Sequence, residues 1–157
     1  MKKILLAVVA LLCVAAVNAQ DYKNSIGLRI GYGAEVQYER HFSAENYLEV
    51  NAGLADLLGS FDRLMVNATY NWNCFDWDWT PSAGRWFLSA GVGGSVGFWG
   101  KDAKCPIQVG VSGNVAFGIR FNAPVTLSLD YRPTIYFLND AWVDGVGHFG
   151  LTCTYNF

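Results

Sequence analysis

The chain has 157 residues, of which 52% are hydrophobic and 15% aromatic, while only 15% are charged and 17 are glycine. That length holds one domain, and a formal net charge of −2 excludes a basic nucleic-acid-binding surface. No apolar stretch approaches the ~18 residues of a spanning helix, so the hydrophobic content points to an all-β protein.

The N-terminus comes first. Lys2 and Lys3 precede an apolar run from Ile4 to Val17, and Val17-Asn18-Ala19 supplies small residues before a cut ahead of Gln20 or Asp21. Residues 1–19 therefore read as a secretory signal peptide that is removed, and 20–157 as a single β-barrel domain. Cys13 makes no lipobox, because Leu12 stands where a small residue is needed. Loss of Lys2 and Lys3 lowers Lys+Arg from 11 to 9 against 13 Asp+Glu, a net charge of −4.

Period-2 alternation then recurs along the chain and predicts eight strands. The first, 25–32, sets Ile26, Leu28, Ile30 and Tyr32 against Gly27, Arg29 and Gly31. The second, 36–42, sets Val36, Tyr38 and Phe42 against Gln37, Glu39 and His41, with Arg40 interrupting the apolar face. The third and fourth, 48–54 and 63–72, place Leu48 to Leu54 and Leu64 to Trp72 opposite Glu49, Asn51, Arg63, Asn67 and Asn71. The fifth and sixth, 85–98 and 107–121, oppose Trp86, Val92, Phe98, Val109, Phe117 and Phe121 to glycines, serines, Asn114 and Arg120. In the seventh, Val125, Leu127, Leu129 and Tyr131 oppose Thr126, Ser128, Asp130 and Arg132. In the eighth, Phe149, Leu151, Cys153, Tyr155 and Phe157 share one apolar face that runs to the last residue.

The polar set is Gly, Ser, Thr and Asn with few charges, a poor exterior for a soluble protein. The apolar face is therefore expected to point outward to lipid, as in an antiparallel up-and-down transmembrane barrel. Several strands exceed ten residues, which suits crossing a bilayer at a tilt. Phe42, Tyr70, Trp72, Trp86 and Phe121 cluster at one end of the strands as membrane-interface aromatics, with Tyr155 and Phe157 beside them. Even strand parity puts both termini on the periplasmic side. The connections 33–35, near Ser60, 100–104 and 139–147 then face outside, and 43–47, 73–84 and 122–124 the periplasm. The tryptophan-rich stretch 74–81 reads as a long periplasmic turn anchored at the interface.

An eight-stranded barrel barely accommodates its own side chains, so interior charges must pair. Arg29, Glu39, Glu49, Arg63, Arg120, Asp130 and Arg132 form the expected lumen charge network, with Arg29 directly opposite Glu39 across a 33–35 turn. No catalytic constellation, cofactor or metal site is expected: His41 and His148, the mature histidines, lie far apart and lack a cysteine or carboxylate cluster. Cys74, at the periplasmic end, and Cys105, at the outer end, stand most of a membrane thickness apart, and no intrachain disulfide is expected among Cys74, Cys105 and Cys153.

The glycine-rich Gly27-Leu28-Arg29-Ile30-Gly31-Tyr32-Gly33-Ala34-Glu35, the stretch Leu129-Asp130-Tyr131-Arg132-Pro133 and the terminal Phe157 complete the pattern. Together with the leader and strand count, they make the chain resemble the small eight-stranded outer-membrane barrels of the OmpA/OmpX type. It looks closest to small barrels of Bacteroidetes-like bacteria. The resemblance implies that Phe149, Leu151, Tyr155 and Phe157 are the assembly signal read by the barrel-assembly machinery. It implies a monomer in the outer membrane of a Gram-negative bacterium, with outer-membrane lipid as its partner. The expected function is structural, an envelope-integrity protein with a plugged interior and no enzymatic activity. A narrow pore or hydrophobic-molecule conduit, an outer-leaflet lipid-modifying enzyme and a periplasmic lipocalin-like binder are the alternatives.

Overall fold

A computed structural model of the chain describes residues 22–55, 63–98, 107–137, 142–144 and 149–157. The expected signal peptide 1–19, Cys13, Ser60, Cys105, His148 and the connection 100–104 lie outside the described residues, as does most of 139–147. The strands are β1 (Asn24–Gly31), β2 (Ala34–His41), β3 (Asn46–Ala55), β4 (Arg63–Thr80) and β5 (Gly84–Phe98). They continue with β6 (Ile107–Phe121), β7 (Val125–Tyr131), β8 (Thr134–Tyr136), β9 (Trp142–Asp144) and β10 (Phe149–Asn156). Each pairs antiparallel with its neighbours, β5 joins β6, and β1 joins β10, so the sheet closes on itself.

The ten segments make eight barrel strands. β7 and β8 pair with β6 in one continuous register, Val115↔Tyr131 and Ser112↔Thr134, and are separated only by Arg132 and Pro133. Pro133 has no N–H to give the ladder, but its carbonyl still accepts from the Gly113 N–H at 2.9 Å. The seventh strand thus runs on to Tyr136, beyond the 132 expected from alternation. Trp142–Asp144 pairs back onto it ahead of β10.

The apolar face points outward and the polar face inward. Leu28 is 60% exposed and Leu151 54%, whereas Asn51, Thr69, Asn71, Ser89 and Ser112 are at most 1% exposed. This arrangement is inverted relative to a soluble barrel, and it rules out the lipocalin-like packing in which the apolar face fills the interior.

Two sequence expectations need correction. The first hairpin turns at Gly31-Tyr32-Gly33, with Ile30 opposite Ala34 and Arg29 opposite Glu35, not at 33–35 with Arg29 opposite Glu39. The shift is an even number of residues, so it leaves every side chain on its predicted face, which is why alternation alone does not detect it. The observed reversal is three residues long, like the expected one, and is closed by a Gly31 N–H to Gly33 carbonyl bond of 2.9 Å.

The second correction concerns the tryptophan-rich stretch, which is strand and not turn. β4 runs to Thr80 and pairs with β5, and the reversal is confined to Pro81, Ser82 and Ala83. A β-bulge at Cys74 shifts the register from Asn73↔Ser89 to Phe75↔Leu88. Before it, even-numbered residues face out (Tyr70, Trp72); after it, odd-numbered ones do (Phe75, Trp77, Trp79). Without the extra residue, Asp76 and Asp78 would face outward and the three aromatics would crowd the lumen mouth.

The register also defines the tilt. From Leu28, pairing through β2 and β3 reaches Val66 on β4, and pairing the other way through β10, β7, β6 and β5 reaches Trp77. The two endpoints are eleven residues apart, one of them the bulged Cys74, so the ring closes with a stagger of ten positions. At a rise of ~3.3 Å and a tilt of about 40°, ten residues span roughly 25 Å of height. That matches the apolar band of a transmembrane barrel. Trp77 therefore lies ten ladder positions from Val66 along the same strand, so the long β4–β5 hairpin follows from the tilt.

Candidate functional site

The interior holds a chain of alternating charges. Arg29 on β1 donates from Nε to Asp130 Oδ1 at 2.6 Å and from Nη1 to Glu35 Oε1 at 3.0 Å. The other Glu35 oxygen accepts from Arg132 Nη1 at 2.9 Å, and Arg132 Nη2 reaches Glu49 Oε1 at 2.6 Å. Asp130–Arg29–Glu35–Arg132–Glu49 is therefore one connected path across the lumen. Arg29, Glu49, Asp130 and Arg132 are each 2–4% exposed. Charge-assisted bonds of this length are the strong ones, and burial makes them obligatory.

Neutral amides and hydroxyls take up the remaining lone pairs. Glu49 also accepts from Asn51 Nδ2 at 2.7 Å and Asn114 Nδ2 at 3.1 Å, and Asp130 from Thr152 Oγ1 at 2.8 Å. Asn114 donates further to Asn71 Oδ1 at 2.9 Å, and Asn67–Ser112–Thr134 forms a second polar layer. Lumen glycines make room for these groups. A Cβ on Gly150 would collide with the Arg29 guanidinium, and one on Gly91 with the Asn71 amide. Five ionisable groups, two positive and three negative, fit inside so narrow a barrel because glycine stands beside the largest of them.

A second cluster occupies the end where the termini lie. Arg120 donates to Asp76 Oδ1 at 3.1 Å and Asn73 Oδ1 at 2.6 Å, and its guanidinium sits 4.0 Å from the centre of the Phe87 ring. Glu39 contacts Gln37 at 2.7 Å and His41 at 3.1 Å; His41 stacks on Tyr47 at 5.0 Å and meets the edge of Tyr22 at 5.1 Å. Burial raises the Tyr22 phenol above its ordinary value, with Arg120 opposing that rise. Between this cluster and the charge chain is a cavity of about 10 Å³, space for one water at most.

Of the seven residues expected in the network, the structure joins Arg29, Glu49, Asp130 and Arg132 in one path. Glu39 and Arg120 belong to the second cluster, and Arg63 stands at the start of β4, opposite Ala55. Glu35, a turn residue in the expected 33–35 connection, is the central carboxylate of the path. Its signal is its parity: it continues the Gln37, Glu39, His41 series. Asn51, Asn71, Asn114 and Thr152 belong to the site as well.

Ser25, His41 and Glu39 come together, but not as a catalytic relay. Ser25 Oγ at 3.3 Å and Glu39 Oε2 at 3.1 Å both contact the same imidazole nitrogen, Nε2. A base that activates a hydroxyl needs one nitrogen for the nucleophile and the other for the orienting acid.

On the outer surface, Phe42, Tyr70 and Trp72 pack together at 6.1 and 4.9 Å. Phe75, Trp77 and Trp79 stack in series at 5.5 and 5.0 Å and reach Trp86 and Phe117. Tyr155 stacks on Phe157 at 6.3 Å, and Phe121 and Phe149 are also exposed on this face. Cys74 and Cys153 are free and exposed.

A closed eight-stranded antiparallel barrel, apolar outside and charge-paired inside, is the transmembrane β-barrel class. Among solved structures the chain is similar to Neisserial surface protein A (NspA): TM-score 0.51 and 14% identity, covering 85% of this chain and 93% of that one. At that identity the likeness concerns the fold. No protein-family model and no curated protein matches the chain.

Proposed function

We propose that the protein is a small structural component of the outer membrane of a Gram-negative bacterium, exported by its 1–19 signal peptide, with a lumen plugged by its own charges. The observation that carries this reading is the Asp130–Arg29–Glu35–Arg132–Glu49 path, which crosses the interior through bonds of 2.6–3.0 Å. The similarity to a Neisserial surface protein barrel supports the location, and the terminal Tyr155–Phe157 pair supports the OmpA/OmpX-like relationship and an assembly signal in β10. The β1–β10 seam leaves no open edge between the first and last described strands for a partner strand, which favours a monomer. The shared Nε2 of His41 favours a non-enzymatic role.

The test is ion conductance of the purified, refolded protein in planar bilayers, run beside cold-SDS gel mobility. The expected result is a heat-modifiable band and a silent bilayer. Steady ohmic conductance from the wild-type protein would replace the plugged barrel with a narrow pore.

A further inference from the structure

Arg40 is the only charged side chain on the outward face of the strands among the residues whose side chains are described. It follows Tyr38 and precedes Phe42 on that face, both of them exposed. A lipid-facing arginine costs ~2–4 kcal/mol at the bilayer midplane but ~0–1 near the interface, and Arg40 is the last residue but one of β2, at the end of the barrel that holds the termini. The register places it in a row Phe157–Asn24–Arg40–Leu48–Tyr70 around the terminal end of the barrel, beside the Phe42–Tyr70–Trp72 cluster.

The chemistry of this notch is that of a donor set. Asn24 Oδ1 accepts both the Arg40 Nη1 bond at 2.7 Å and the Tyr38 hydroxyl bond at 2.8 Å. That leaves the Asn24 amide NH₂ and the other guanidinium N–H groups as donors toward the bilayer. No carboxylate of the described residues lies within 4.0 Å of Arg40, whereas Arg29, Arg120 and Arg132 all have one. The acidic strand residues whose side chains are described face the lumen.

We propose that Arg40 and Asn24, with Tyr38 orienting the amide, bind the phosphate of a phospholipid in the leaflet nearer the termini, its acyl chain lying along Tyr38, Leu48 and Tyr70. Arginine suits a phosphate because its fork of N–H groups matches two oxygens at once. This site rests on the transmembrane placement proposed above, and it anchors the barrel at a fixed depth and rotation.

Native mass spectrometry of the detergent-solubilised barrel, titrated with phosphatidylglycerol or diacylglycerol of the same acyl chains, tests the site. The wild-type protein is expected to retain one phosphatidylglycerol and no diacylglycerol. Arg40→Gln weakens retention at least tenfold. Asn24→Asp, which supplies Arg40 with a carboxylate of the protein's own, weakens it similarly while keeping the cold-SDS mobility of the folded barrel. Unchanged phosphatidylglycerol retention in both folded variants overturns the site. So does equal retention of diacylglycerol, or displacement of the lipid by inorganic phosphate. A wild-type chain that stays soluble without detergent and fails to enter vesicles overturns the membrane placement itself, an outcome distinguishable from the others.

Discussion

Replacing Arg132 with glutamine removes the guanidinium shared by Glu35 and Glu49. The two carboxylates are not equally affected. Glu35 keeps its 3.0 Å bond from Arg29, while Glu49, 2% exposed, retains only neutral amides: Asn51 at 2.7 Å, Asn114 at 3.1 Å and Asn71 at 3.5 Å. Stranding one buried carboxylate costs about 3–5 kcal/mol. With a urea dependence near ~2 kcal/mol per molar, the unfolding midpoint should fall by roughly 2 M. The assay is urea unfolding of the barrel refolded into lipid vesicles, followed by tryptophan fluorescence and by loss of the fast-migrating SDS band. Adding Glu49→Gln removes the stranded charge and leaves an amide whose carbonyl still accepts from Asn51 or from Asn114, so the double variant should recover more than half of the loss. A single Arg132→Gln variant within ~1 kcal/mol of wild type would refute the reasoning, because it would mean that water screens Glu49 and the lumen is wet.

Further outcomes follow from the glycines and the bulge. Gly150→Ala, whose Cβ enters the Arg29 guanidinium, is expected to cost ~1–3 kcal/mol in the same assay. Gly94→Ala, whose Cβ meets only the Gly110 carbonyl at 3.7 Å, should be close to neutral. Deleting Cys74 removes the bulge and swaps the faces of Phe75 to Thr80, so the deletion should abolish the heat-modifiable band; Cys74→Ser, which keeps the extra residue, should leave it intact.

Alternation made most of this architecture legible. Leu28, Val66, Leu129 and Leu151 are outward where period-2 reading places them, because one-sided burial forbids any odd shift of register. Even shifts carry no such penalty, so the Arg29–Glu35 pairing was hidden behind an equally well-faced Arg29–Glu39 alternative. The bulge at Cys74 was hidden differently. A single unpaired residue reverses parity, and in the sequence Cys74-Phe75-Asp76-Trp77-Asp78-Trp79 looks like the end of one pattern, not its continuation on the other face. Pro133 produced the same kind of false ending, since a missing N–H signals termination even where the partner, Gly113, supplies the bond instead. The interior path was half visible: the charged residues on the polar face were nameable, but which guanidinium reaches which carboxylate depends on stagger around a closed ring.

The seam between β1 and β10 has a kinetic consequence. Ser25 pairs with Asn156 and Gly31 with Gly150, so the first described strand is joined to the last across more than a hundred residues. No circle of backbone bonds exists until β10 is in place, and a chain lacking it would expose two raw sheet edges. Contacts this remote in sequence form slowly, and the waiting intermediate is prone to aggregate. The ring therefore closes in a late step, which makes β10 the timing element of its own folding.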